Sequence, residues 1–312
     1  MALAEYTLHA VKGVKESFDN AAQASIMEYK DSRLFTFEET QEWTEIFNST
    51  EALSGSKVLT ETETPPTTTL GEGYQVSLSN KRFGGGITIT EDDMQRAGDS
   101  TVLIDKYIER KRNQLLVDNK HVFLTEIFKL YNEAFDSGSD LLAPDGVEIC
   151  GTHSWNSGGT FTNASTAVLG AEAIQDLEEY GGAFTDAEGR PMPLTFDIIV
   201  VKKGSANARE AKKLFGMYGM TPTKVADINI YEGEYTLIET PYITAANKAY
   251  WFALASQHVN PLYVGISKFP AMNEPIKQNN ESIVSNCTGY YKVGVSNLTY
   301  AVFGSTGVGS GS

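Results

Sequence analysis

Two side chains that could do chemistry together stand three residues apart, at Cys150 and His153. A thiolate beside an imidazole is the arrangement of a cysteine nucleophile and its general base. Both side chains also bind zinc, but zinc needs three or four ligands, and no second pair occurs at metal-binding spacing. We therefore predict a loop cysteine and a hydrogen-bonding histidine, with no catalytic residue, no metal and no cofactor. A cytosolic cysteine-dependent enzyme is the alternative.

A run of three glycines, Gly84 to Gly86, could cradle a phosphate group. The run lacks the glycine spacing of nucleotide-binding loops and does not lie between a strand and a helix. It predicts flexibility within an extended hairpin instead. The carboxylate pairs at 178–179 and 232/234 are typical of solvated surfaces.

A basic cluster lies on a segment with helical periodicity and contains Lys106, Arg110, Lys111 and Arg112. Acidic neighbours at positions 105 and 109 are close enough along a helix for local ion pairs. The cluster could also face an acidic neighbouring subunit or DNA. We rank ion pairs within or between subunits ahead of DNA contact.

The charge balance sets limits on partners. The chain of 312 residues has 25 basic and 40 acidic residues, a formal net charge of -15, which repels nucleic acid and anionic membranes on average. Residues 1–80 are strongly acidic, whereas residues 81–136 are nearly balanced. No run of about 18 apolar residues predicts a membrane span. Two distant cysteines and an N-terminus without a secretory pattern favour a reducing compartment.

The elements that carry these residues begin with an amphipathic helix over 5–29. Its stripe consists of Leu8, Val11, Val14, Phe18, Ala22 and Ile26. This helix either docks on its own domain or is an arm that reaches a neighbouring subunit.

Residues 57–90 predict a long, two-stranded excursion. Tyr74, Val76 and Leu78 alternate with polar residues before the three glycines, and a second alternating run follows Phe83. A two-stranded ribbon is marginally stable in water unless another surface covers it. We therefore expect this hairpin to extend from the core and rest on an adjacent subunit.

The longest helical pattern covers 101–135, about 50 Å at 1.5 Å per residue, and its drifting stripe predicts a bend or two packing partners. Beyond the loop-rich 138–163 we predict a helix from Ser165 or Thr166 to Tyr180. A buried strand follows in LTFDIIVVKKG, then a second helix capped by Ser205. Short strands near 235–239 and 250–255 complete a compact α/β unit, and YYKVGV and LTYAVF close the chain as strands.

Four colinear segments over about residues 60–305 resemble the tailed-phage major capsid proteins of the Hong Kong 97 type. They are TLGEGYQVSLSNKRFGGGITIT with EDDM, LYNEAFDSGSDLLAPDGVEICGTHSWNSGGTFTN, AEAIQDLEEYGGAFTDAEGRPMPLTFDIIVVKKGSANAREAKKLFG and YYKVGVSNLTYAVFGS. The resemblance implies an α+β fold with an N-terminal arm, an extended β-hairpin loop, a long spine helix, a peripheral domain and an axial α/β domain.

The implied boundaries are an arm over 1–56, the hairpin over 57–90, and the spine helix with the start of the peripheral domain over 91–145. The axial domain mainly occupies 146–255, and residues 256–312 return to the peripheral domain and end in a flexible tail. Under this resemblance the assembly-interface candidates are Lys106, Arg110, Lys111, Arg112, Tyr74, Val76, Leu78 and Phe83.

The resemblance implies a major head protein rather than an enzyme. Its copies would form hexamers and pentamers of an icosahedral shell in the host bacterial cytoplasm and remain in the virion. The expected partners are portal, scaffold and decoration proteins, and packaged double-stranded DNA bound without sequence specificity, with no membrane. A cellular nanocompartment shell protein of the same fold is the alternative within this class.

Overall fold

The structure is a computed structural model that describes residues 3–50, 72–97, 100–216 and 231–308. The helices are α1 (Leu3–Ile26), α2 (Glu91–Ala97), α3 (Thr101–Ile127), α4 (Lys129–Asn132), α5 (Ala171–Ala183) and α6 (Ala206–Phe215), with a 3-10 helix at Met27–Ser32. The strands are β1 (Thr36–Glu39), β2 (Thr44–Thr50), β3 (Glu72–Ser79), β4 (Lys81–Ile89), β5 (Thr152–Ser154), β6 (Thr160–Thr162), β7 (Ala164–Ser165), β8 (Ile198–Lys202), β9 (Thr236–Thr240), β10 (Trp251–Leu254), β11 (Leu262–Met272), β12 (Ile276–Lys277), β13 (Ile283–Val295) and β14 (Val302–Ser305).

Two five-stranded sheets organise these elements. The first sheet has the order β1-β11-β13-β12, and β4 pairs with the other edge of β13. The second sheet has the order β7-β14-β10-β8-β9. Helices α1 and α3 cover one face of the first sheet, and α5 and α6 cover one face of the second. The mixture of helices and sheets confirms the expected α+β class.

Helix α1 buries the predicted stripe against its own chain. Val11, Phe18, Ala22 and Ile26 are buried, mostly among side chains of α3 and the first sheet. Of the two alternatives for this segment, the structure has the docked helix. The polar sequence after it contains β1 and β2, which the weak periodicity did not predict.

Helix α3 is shorter than expected. It spans 27 residues, about 40 Å, and ends at Ile127 rather than continuing to position 135. Its first half packs against α1 through Ile104 and Ile108, whereas Phe123 and Ile127 enter the central core, which confirms two packing partners. The end was not predictable from periodicity because side chains on both sides of the break are fully buried.

The predicted pairing of the hairpin is wrong. Strand β3 pairs with β2, and β4 pairs with β13 inside the first sheet, so 81–89 is part of the core sheet. The reason is that Phe83, Ile87 and Ile89 all turn into the core. The glycine run permits close packing rather than flexibility, since an added Cβ at Gly85 would lie 2.8 Å from Leu115 Cδ1. The intervening tip, 51–71, lies outside the described residues.

The second sheet contains the α/β unit that the sequence predicted. Strand β8 is a buried apolar run, and the Ser205 hydroxyl accepts a hydrogen bond of 3.1 Å from the Ala208 N–H at the start of α6. Helix α5 begins at Ala171 rather than at Ser165, because Ser165 belongs to β7, and it runs through Gly181 and Gly182 instead of stopping there.

The last strand also differs from the expectation. Strand β14 joins the second sheet between β7 and β10, so residues 256–312 do not return wholly to the first sheet. All four residues of β14 are buried, and an apolar strand of this kind is stable only when it is covered on both faces. The first sheet instead receives the long strands β11 and β13.

Candidate assembly surfaces and a buried polar node

The histidine singled out by the sequence lies in a buried chain of polar side chains. His153 Nδ1 is 3.0 Å from Asp145 Oδ2, and His153 Nε2 is 3.0 Å from Thr299 Oγ1. Carboxylate, imidazole and hydroxyl stand in the order of a catalytic triad. However, His153 and Thr299 are both 0% exposed, and the Thr299 hydroxyl donates to the Ile149 carbonyl at 2.7 Å. No substrate can reach this hydroxyl, so the arrangement is structural.

Asn163 completes this group, which we call the polar node (Asp145, His153, Asn163 and Thr299). Its side-chain N–H groups donate to the carbonyls of Ile149, Thr299 and Val302 at 2.8–3.0 Å, and its Oδ1 accepts from the Gly151 N–H at 2.8 Å. The node therefore joins the loop that follows α3 and α4 to the segment that enters β14. No pattern in the sequence points to Asn163 or Thr299.

The electrostatics of the node agree with a structural role. Burial alone raises the pKa of Asp145, but hydrogen bonds and charge from His153, with the N–H groups of Ser154 and Val147, outweigh it and hold the pKa below its ordinary value. Burial raises the pKa of the Cys150 thiol far above its ordinary value. A thiol held neutral is a poor nucleophile, and none of the hydrogen bonds of His153 goes to Cys150.

Within the described ranges, no group of three or more His, Cys, Asp or Glu side chains is placed to hold a metal ion. In the same part of the chain, no helix has the length and apolar character needed to cross a membrane.

The basic cluster on α3 divides into two pairs. Arg112 donates to Ser17 Oγ at 3.0 Å, which ties α3 to α1, and the Lys111 ammonium lies 5.4 Å from the centre of the Tyr107 ring. Lys106 and Arg110 are exposed, and their side chains form no hydrogen bond or ion pair with any residue that the structure describes. The local ion pairs that the spacing suggested for these two residues therefore do not form.

The hairpin candidates contact their own chain in the described part of the molecule. Tyr74 donates to the Ser154 carbonyl at 3.1 Å, and Leu78 fills the space above Gly294. Val76 lies opposite Phe47 across the β2–β3 ladder. Phe83 is only 8% exposed and belongs to the central core, and its role at an assembly interface stays a prediction, as for the other three hairpin candidates.

A buried lysine lies beneath the β2–β3 pair, which we call the hairpin from here on, and sequence reasoning missed it. Lys292 in β13 is 0% exposed, and its ammonium lies 3.3 Å from Glu45 Oε2 of β2. Tyr263 donates to the same carboxylate oxygen at 2.6 Å. We call Lys292, Glu45 and Tyr263 the hairpin clamp, because they connect β2 to the outer face of the first sheet. A lysine inside an apolar run gives no sign of its carboxylate partner 247 residues away.

Comparison with known proteins places this architecture. No family model matches the sequence, and no curated protein matches it at a significant level. Solved structures do match. A chain of the Cyanophage Pam1 capsid asymmetric unit superposes with a TM-score of 0.54 at 14% identity, over 88% of this chain and 89% of that one.

Two further phage structures agree over similar lengths. A chain from Microbacterium phage Oxtober96 has a TM-score of 0.52 at 12% identity, covering 87% of this chain and 88% of that one. A chain from Mycobacterium phage Patience has a TM-score of 0.52 at 12% identity, covering 96% and 87%. The chain therefore has the tailed-phage major capsid fold, which confirms the fold that the resemblance implied.

Proposed function

We propose that the chain is the major capsid protein of a tailed phage or prophage, whose copies assemble into an icosahedral shell around double-stranded DNA. The observation that carries the proposal is the fold, which matches phage structures over nearly nine tenths of both chains. At 12–14% identity this likeness concerns the fold, and the function is our inference from it.

Two features of the molecule support a shell protein. Lys106 and Arg110 have no partner among the residues that the structure describes, on a chain of net charge -15, as expected of residues whose partners belong to another molecule. The one catalytic candidate that the sequence offered is a buried node with a neutral thiol beside it. The proposal includes hexamers and pentamers, with portal, scaffold and decoration proteins as further partners, and the virion as the place of the mature protein.

The test is assembly of the expressed chain. We expect particles far larger than the 34.1 kDa subunit in sedimentation velocity, and closed shells in negative-stain images. Particles purified from infected or induced cells are expected to contain long double-stranded DNA. Shells that instead enclose an enzyme would identify a cellular nanocompartment. A chain that stays monomeric at every salt and protein concentration, alone and with a scaffold, would contradict the proposal.

A further inference from the structure

An exposed aromatic and basic surface lies at the root of the hairpin, on the outer face of the first sheet. Arg82 of β4 and Lys268 of β11 both pair with Tyr290 of β13, so the three side chains form a row across three strands. The Trp43 ring lies 5.7 Å from the Tyr290 ring. We call Trp43, Arg82, Lys268 and Tyr290 the root patch.

Trp43 is displayed rather than packed. It is 63% exposed, although tryptophan is usually among the more buried residues. Its backbone is nevertheless fixed, because its carbonyl accepts from the Asn80 N–H at 3.0 Å and the Asn80 side chain donates to the Glu42 carbonyl at 3.3 Å. Ser267 Oγ in turn holds Asn80 Oδ1 at 2.7 Å. A backbone that is already fixed loses little conformational entropy when the residue enters an interface.

The cations of the root patch are unpaired. Arg82 and Lys268 are exposed, and their side chains form no hydrogen bond or ion pair within the part of the chain that the structure describes. The adjacent Lys81 is exposed and unpaired in the same sense. Three cations without a partner among the described residues thus lie near an exposed tryptophan and a tyrosine on a strongly acidic chain.

The combination of aromatic and basic side chains in the root patch favours a protein partner over DNA. Tryptophan, tyrosine and arginine are the residues that most often dominate the binding energy of protein interfaces. A DNA duplex would be held by the cations alone, because its phosphates offer nothing to a rigid, projecting indole ring. An acidic protein surface can bind both the cations and the ring. Its carboxylates pair with the cations, and the aliphatic parts of its side chains cover the Trp43 ring.

We propose that the root patch docks an acidic surface of a second copy of this chain. The proposal rests on the proposed shell function and names one of its contacts. Charge complementarity supports it, because the chain has 40 acidic and 25 basic residues and therefore offers acidic surface to any neighbouring copy. A contact between different surfaces of identical chains is heterologous, and such contacts form rings of subunits when the rotation between neighbours closes.

The experiment compares matched variants of the full chain. Trp43→Ala tests the ring, and its control is Val259→Ala, which truncates another side chain that is 80% exposed. Arg82→Glu with Lys268→Glu tests the charge, and its control is Lys203→Glu with Arg209→Glu, which changes the net charge equally at exposed, unpaired positions near the second sheet. Particle yield is measured by sedimentation at about 0.1 M salt, and subunit folding by thermal unfolding.

We expect both patch variants to lower particle yield at least about tenfold with an unchanged unfolding midpoint, and both controls to stay within about twofold of the wild type. A photo-cross-linking amino acid at position 43 should attach to an acidic segment of another copy. Normal particle yield in both patch variants would overturn the proposal, as would cross-links to DNA alone. Equal losses in the two charge variants would assign the effect to net charge and also overturn it. Wild-type protein without particles would contradict the shell function itself, which separates the two failures.

Discussion

The polar node and the hairpin clamp both contain buried charged side chains, and the two differ in how water could reach them. The node lies between the loop after the spine helix and the segment entering β14, and its members share many short hydrogen bonds. The clamp has one ammonium at 3.3 Å from one carboxylate, and the Glu45 side chain is already 17% exposed.

This difference in access to water suggests which of the two contacts opens more easily. A buried charge is costly unless it is paired or hydrated. Asn163 donates to the carbonyls of Thr299 and Val302 beside β14, so hydrating Asn163 would disturb a strand that is buried in the second sheet. Lys292 would be hydrated if β2 and β3 lifted from the outer face of the first sheet, where the contacts include the Tyr263 and Ser267 hydroxyls. We therefore expect the node to lock two parts of the subunit together and the clamp to open more easily.

The largest expected effect is at Asn163. Asn163→Ala leaves the Gly151 N–H without its acceptor and removes a donor from the carbonyls of Ile149, Thr299 and Val302 in a dry interior, so we expect a loss of about 3 kcal/mol in the free energy of unfolding. Urea denaturation measures it. The control Asn20→Ala removes an exposed asparagine from α1 and should change stability by less than about 0.5 kcal/mol. A loss of that small size at Asn163 would refute the locking role.

Asp145→Asn is expected to cost about 2 kcal/mol at neutral pH, since it removes a charged acceptor. The pKa of Asp145 is lowered by folding, so its contribution is complete above the ordinary aspartate pKa and is lost as the pH falls through the folded value. The stability difference between wild type and variant should therefore shrink from pH 7 to pH 3. The exposed control Asp118→Asn should show no such convergence. Parallel pH curves would contradict this account.

Glu45→Ala should cost only about 1 kcal/mol globally, below the ~3–5 kcal/mol typical of a buried pair that cannot open. The reason is that the hairpin can lift and hydrate Lys292. Hydrogen exchange of the β2 and β3 amides should accelerate strongly, while that of β10 stays unchanged. Lys292→Met removes the buried charge and should restore slow exchange in the double variant. Uniform acceleration across both sheets would show that the clamp is not separable from the core.

The smallest effect on stability is expected for Lys106→Glu with Arg110→Glu. Both side chains are exposed and unpaired in the described structure, so the free energy of unfolding should change by less than about 0.5 kcal/mol. If they contact a neighbouring subunit, particle yield should fall at low salt. Arg112→Gln is the comparison, because it loses the contact with Ser17 and acts on the subunit itself. Normal assembly of the double Glu variant at low and high salt would assign this face to solvent or DNA.

The parts of the fold that the sequence predicted are those in which burial follows the local period. The stripe of α1 and the apolar run of β8 are examples, because each packs on one surface or is wholly covered. The end of α3 was not predictable, since Phe128 and Leu130 are buried on either side of the break. The pairing of β3 and β4 depends on strands elsewhere in the chain, and the sequence alone does not specify such partners.

The candidate site was predicted less completely for the same reason. Cys150 and His153 attracted attention because they are close in sequence, but the partners of His153 include Thr299, which is 146 residues away. The same holds for Lys292 and Glu45. The basic cluster was recognised from composition, yet only the structure separates Arg112, which is paired, from Arg110, which is not.

The long-range pairing of the first sheet has a consequence for synthesis. Strand β1 pairs with β11, and β4 with β13. Residues near positions 36 and 85 therefore cannot form their strand pairs until residues near 265 and 287 have been synthesised. At about 5–20 residues per second, a ribosome needs about 15–60 s to reach the end of β13. During that time β1 and β4 have no partner strands in the first sheet. A nascent chain therefore cannot present the complete root patch until β13, which contains Tyr290, has been synthesised.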